Sequence, residues 1–233
     1  MFPTGDETRR YTHPIIVYML IGFNTGVFIL EFSDPWAYEL MILQYGFIPR
    51  LLTLDPLEGV LRMFTSMFLH ADVLHIFGNM LFLYVFGDNV EDRMGHVKFL
   101  FFYLFSGFAA SLAHFMIDPF SMVPAIGASG AISGVMGAYM VMFPFARVRV
   151  FYRFFMVRLP AVVYLGFWFL MQLFESMLPE YAGIAYWAHI GGFITGVIVA
   201  LLFFRKERKR PVAQYSYYYS YSTLHCQYPA GYW

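Results

Sequence analysis

The run from 127 to 145, GASGAISGVMGAYMVMFPF, decides how this chain is read. It opens on Gly127-Ala128-Ser129-Gly130 and stays almost wholly apolar up to Arg147. A second apolar run, 184–204, holds His189 near its start. Polar and ionisable side chains inside apolar runs of membrane length are costly, and they mark functional positions. A serine and a histidine so placed are the ingredients of a nucleophile and its base.

The surrounding composition sets the solvent. Of 233 residues, 60% are hydrophobic and only 13% charged, against roughly 25% charged in soluble domains. The mean hydropathy of +0.59 agrees, and the chain reads as an integral membrane protein. Acidic and basic residues balance at 15 each, so global charge steers no nucleic acid or other partner. The single cysteine, Cys226, excludes an intrachain disulfide and a cysteine-based metal site. Arg9 and Arg10 precede the first apolar run as in a signal sequence. That run is roughly 19 residues long and ends in Ile29-Leu30-Glu31-Phe32 without a small-residue cleavage site, so it is expected to be a retained span.

A helix needs about 20 apolar residues to cross a bilayer core. Six runs meet or approach this: 14–32, 71–87, 97–117, 129–145, 159–178 and 184–204, the fourth being short. Asp34-Pro35, Gly87-Asp88, Asp118-Pro119, Pro144, Pro160 and Pro179 mark expected helix ends. The expected fold class is an all-α membrane protein, a bundle of six transmembrane helices. Arg9 and Arg10, Arg93 and Lys98, the four arginines Arg147, Arg149, Arg153 and Arg158, and the 205–210 cluster all fall on one side. Only Arg50 and Arg62 fall on the other. The positive-inside rule then makes both termini cytoplasmic.

Three parts follow: a cytoplasmic segment at 1–13, a six-helix domain at 14–204, and a basic, then Tyr-rich cytoplasmic tail at 205–233, read as disordered. The basic cluster opening the tail suits a stop-transfer signal and anionic lipids. The outer loop 33–70 carries apolar stretches at 38–47 and 60–69 too broken to span, and is expected to lie partly inserted at the membrane surface.

Helix rise gives depth. Ser129 lies 18 residues before Arg147, roughly 27 Å at 1.5 Å each, and His189 lies 16 before Arg205, roughly 24 Å. Both therefore sit at similar depth, just under the outer surface. His75 and Asn79, four apart on the outer half of span two, share one helix face in the same layer.

Serine becomes a nucleophile when a base takes its proton, and acyl transfer needs donors for the oxyanion. Ser129 begins a helix, where its N–H has no intrahelical acceptor and the helix dipole favours negative charge. His75 and Asn79 are candidate side-chain donors, of a kind worth roughly 3–4 kcal/mol each. Gly127 and Gly130 allow a sharp turn and close packing around Ser129. No Asp or Glu lies in the outer part of span six, so a Ser–His dyad is inferred. No metal is expected, because the histidines lack a carboxylate partner at ligand spacing, and the dyad needs no cofactor.

Together these residues resemble the rhomboid family of intramembrane serine proteases, over residues 14–204. Gly127-Ala128-Ser129-Gly130 is similar to the family's nucleophile motif, and Ala188-His189-Ile190-Gly191-Gly192 with Gly196 to its last-helix histidine motif. His70, His75 and Asn79 match the second-span pattern, and Glu91-Asp92-Arg93-Met94-Gly95 the charged turn after it. The resemblance implies a six-helix rhomboid-like bundle around a water-filled cavity open to the outside. It implies cleavage of single-span transmembrane protein substrates in or near the membrane. Ser129 would be the nucleophile, His189 the base, and His75, Asn79 and the Ser129 amide the oxyanion hole. Gly192 and Gly196, at GxxxG spacing, would bring the last helix against the fourth. Trp168 and Phe169 on span five would form a lateral gate. Some relatives carry an aromatic ring four residues after the nucleophile, beneath the histidine; here that residue is Ser133, which either hydrogen-bonds locally beside Ser129 or back-bonds to its helix. The compact six-span form suggests a prokaryotic cell membrane.

Each feature alone has a plainer reading. Small residues pack membrane helices, a lone histidine at a helix end is interfacial, and a buried His–Asn pair serves as interhelical glue. Their joint order and depth favour proteolysis. Two rivals stay open: a rhomboid-fold protein that binds membrane clients without cutting them, and a small transporter or channel. A transporter predicts polar residues at mid-membrane and internal symmetry, whereas the polar residues here cluster at the outer end.

Overall fold

The computed structural model describes residues 2–178 and 184–204. Pro179, the 205–210 cluster and the Tyr-rich tail lie outside the described residues. The molecule is mostly helical. Helix α1 (Ile15–Glu31) is followed by three short helices, α2 (Pro35–Tyr45), α3 (Pro49–Leu54) and α4 (Pro56–Thr65), and a 3-10 turn at Ser66–Phe68. Then come α5 (Val73–Met94), α6 (His96–Ile117), α7 (Ser129–Met142), α8 (Ala161–Glu175) and α9 (Tyr186–Phe203).

Helices α1 and α5 to α9 occupy the six expected apolar runs. Among the described residues, α5, α6 and α9 are long and apolar enough to cross a membrane, while α1, α7 and α8 are apolar but shorter. Helix α7 is the axis of the bundle, with positions 130–139 all buried. Its small residues let neighbours approach to backbone distance. A Cβ on Gly134 would meet the Ser106 side chain of α6 at 2.5 Å, and one on Gly130 would meet Ala110 at 2.6 Å.

Span two does not end at Gly87-Asp88. Helix α5 continues to Met94 and stops at Gly95, whose φ of +86° is open mainly to glycine. The charged last turns persist because the N-terminal segment satisfies them. The Glu91 carboxylate accepts the Ile16 and Val17 N–H groups at 3.0 and 2.9 Å, capping the start of α1. Asp92 accepts the Thr12 N–H at 2.8 Å, and Arg10 pairs with Asp88 at 3.2 Å.

The all-α expectation also needs correction. Strands β1 (Phe2–Asp6), β2 (Arg147–Tyr152) and β3 (Phe155–Pro160) form an antiparallel sheet in the order β1-β2-β3. The stretch Arg147-Val148-Arg149-Val150 alternates with period two, burying both valines. The basic residues between α7 and α8 therefore ride on a hairpin, and α8 begins at Ala161 because Leu159 and Pro160 belong to β3.

The 33–70 segment is ordered by caps and carbonyl contacts. Asp34 and Asp55 cap α2 and α4, each followed by proline at N1. Arg62 donates to the Leu43 carbonyl at 2.6 Å, and Thr65 to that of Tyr45 at 2.7 Å. Trp36, Leu40, Leu57 and Leu61 remain exposed.

Candidate active site

Ser129 is the first residue of α7, presented by a tight approach. Gly127 has a φ of +121°, and its N–H donates to the Ser66 carbonyl at 2.9 Å. His189 lies in the first turn of α9. Its Nε2 stands 2.8 Å from Ser129 Oγ, although 60 residues separate the two.

Glycine contact between α7 and α9 makes that approach possible. A Cβ on Gly192 or Gly196 would overlap the carbonyl oxygen of Gly130 or Gly134, respectively. The two helices thus pack backbone against backbone, as the GxxxG spacing predicts.

From α5, His75 and Asn79 line the same cavity, of about 560 Å³, as Ser129 and His189. Asp72 caps α5 by accepting the His75 N–H at 2.8 Å. His75 Nδ1 accepts the Ala71 N–H at 3.2 Å, so the neutral ring carries its proton on Nε2. That nitrogen crowds Gly127: a Cβ there would lie 2.9 Å from it and 3.6 Å from Ser129 Oγ. Asn79 donates one amide hydrogen to the His75 carbonyl at 3.0 Å, leaving the second for the cavity. His70 is fully buried behind His75, ring centroids 5.2 Å apart, and its backbone N–H points at the Glu31 carboxylate.

Ser133 resolves to the second of its two alternatives, donating to the Ser129 carbonyl at 2.6 Å. It gives the histidine no ring to rest on. Trp168 of α8 supplies one instead, its centroid 6.1 Å from that of His189 and tilted by 37°. Phe169 stacks on Phe193 at 4.7 Å, so both gate candidates of span five lean on α9.

One polar contact is absent from the expected set. His189 Nδ1 lies 2.6 Å from the Oε1 atom of Gln172 on α8, and Gln172 Nε2 lies 3.4 Å from Glu175 Oε2. The sequence did carry a signal, an amide inside the apolar 159–178 run. Gln172 is an amide and not an acid, and it stands on α8 and not on the histidine's own helix.

A hydroxyl with a base at hydrogen-bond distance, at a helix N-terminus and in a cavity lined by two further nitrogen donors, is the kind of arrangement that acyl transfer requires.

Comparison with known proteins bears on the family of the chain as a whole. The model of the Rhomboid domain matches residues 57–206. The chain is 29% identical over 202 residues to "Rhomboid protein 1, mitochondrial" of Saccharomyces cerevisiae, covering 80% of this chain and 53% of that protein. It is 31% identical to "RHOMBOID-like protein 1" of Arabidopsis thaliana, over 62% of this chain and 34% of that one. It is also 31% identical to "Rhomboid protease GluP" of Bacillus subtilis, over 60% and 25%. The chain thus spans about half or less of the length of these relatives. They come from a mitochondrion, a plant and a bacterium, and give the expected prokaryotic membrane no support over a mitochondrial one. With the Rhomboid domain matched over more than half of this chain and apolar helices on the expected runs, the chain is a membrane protein and belongs to the rhomboid family.

Proposed function

We propose that the protein is an intramembrane serine endopeptidase that cleaves single-span membrane proteins in or near their transmembrane segment. The observation that carries this reading is the 2.8 Å contact between Ser129 Oγ and His189 Nε2 in a cavity among apolar helices. His189 Nε2 takes the hydroxyl proton as Ser129 Oγ attacks the scissile carbonyl carbon. The carbonyl oxygen becomes an oxyanion facing the Ser129 N–H, His75 Nε2–H and Asn79 Nδ2–H. Collapse breaks the C–N bond, the imidazolium gives its proton to the departing amine, and an acyl ester remains on Ser129. Water, deprotonated by His189, then releases the second product and restores the serine.

The accompanying architecture is part of the same proposal: six membrane helices within 14–204, both termini on the cytoplasmic side, and the dyad beneath the outer surface. A substrate helix must unwind there to expose its peptide bond, so small or helix-breaking residues are expected at the cut.

The test is cleavage of a single-span reporter by purified protein in lipid vesicles, with Ser129→Ala and His189→Ala alongside and folding checked for each. Loss of cleavage in both variants supports the dyad. A wild type that cuts no reporter and takes no fluorophosphonate on Ser129 overturns proteolysis in favour of client binding.

A further inference from the structure

We propose that Gln172, held by Glu175, is the positioning residue of the Ser129–His189 pair, fixing which imidazole nitrogen carries the proton. A neutral imidazole has one N–H, and its location is set by the partner of the other nitrogen. Here Nδ1 faces Gln172 Oε1 at 2.6 Å, and a carbonyl oxygen can only accept. The proton therefore sits on Nδ1, leaving the Nε2 lone pair towards Ser129 Oγ. The opposite tautomer would set two acceptors against each other at Nδ1 and a donor against the serine that must lose its proton.

The amide has its own constraint. Turned over, it would offer NH2 to Nδ1 and its oxygen to Glu175. In the observed sense Nε2 points at Glu175 Oε2, 3.4 Å away, and only in that sense does this amide donate to the carboxylate. Gln172 and Glu175 stand three residues apart on α8, on one helix face. Gln172 is itself buried, 8% exposed, so water does not readily replace His189 as the partner of its oxygen. The polar chain runs Glu175, Gln172, His189, Ser129. The carboxylate absent from α9 thus stands on α8, one amide removed from the ring. The amide oxygen also accepts from Nδ1–H once Nε2 is protonated, and so steadies the imidazolium during acyl transfer. No ring at position 133 holds the histidine, and this bond performs that task together with Trp168.

The catalytic importance of Gln172 rests on the proteolytic reading; the tautomer does not. Nitrogen-15 histidine spectra of the protein in micelles read the tautomer directly, with His189 assigned by His189→Gln. The expected result is a proton on Nδ1 in the wild type. Gln172→Leu, of similar volume and without an acceptor, is expected to move the proton towards Nε2. It should also lower kcat about tenfold or more with KM within twofold. Gln172→Met repeats the test if the leucine variant folds poorly. A wild-type proton on Nε2, or variants that leave tautomer and kcat unchanged, would overturn the proposal. A wild type that cuts nothing removes the proteolytic reading, and the spectra still decide the tautomer.

Discussion

The carbonyl oxygen of Gly134 occupies the space that a side chain on Gly196 would need. This contact, one turn below the corresponding pair Gly130 and Gly192, sets the separation of α7 and α9 and hence that of Ser129 and His189. Backbone cannot step aside as the end of a flexible side chain can. Gly196→Ala is therefore expected to destabilise the protein by about 3 kcal/mol and to cut activity out of proportion to the folded fraction. Gly22→Ala and Gly166→Ala, where an added Cβ meets nothing within 4 Å, should be neutral or slightly stabilising. Unfolding midpoints in detergent distinguish the two sets.

Gly127 carries two constraints at once. Its φ of +121° disfavours any side chain, and a Cβ would press on the His75 ring. Gly127→Ala is expected to lose about 1–3 kcal/mol of stability. It should also slow fluorophosphonate labelling of Ser129, because the Ser129 turn and His75 are displaced together. Labelling rates at matched folded fraction check this.

His75→Ala and Asn79→Ala each remove one nitrogen donor from the cavity. Each is expected to lower kcat roughly 100-fold or more, with KM little changed, because the oxyanion forms only in the transition state. A rise in KM at constant kcat would instead assign these residues to substrate binding.

Glu91 acts at the other end of the bundle. It is fully buried, caps α1 through two N–H groups, and meets His96 Nδ1 at 2.5 Å. Glu91→Ala is expected to destabilise by about 3 kcal/mol, since it leaves buried donors without an acceptor. The fraction that remains folded should keep its kcat, as Glu91 is remote from Ser129 in the bundle. Unfolding and single-turnover assays on one preparation separate the two effects.

Much of the site was legible in the residues themselves. The six apolar runs place α1 and α5 to α9, because membrane length and helical rise are local properties. The same rise puts Ser129 and His189 at one depth, and the spacing of Gly192 and Gly196 announces a close helix crossing. These features need no knowledge of neighbours. Other features depended on which element came alongside. The turn at Gly87-Asp88 reads as a helix end until Asp6, Arg10 and Thr12 return from the N-terminus to pair with Asn89, Asp88 and Asp92. The Arg147 hairpin becomes a sheet with β1 as its third strand. Gln172, an isolated amide in an apolar helix, becomes the partner of His189 once α8 packs beside α9. The sequence determined that these buried polar groups had to be satisfied, because leaving them unpaired in an apolar interior is expensive. Only the tertiary structure decided by whom, because hydrogen bonding acts at about 3 Å and chain positions far apart are brought within that range only by packing.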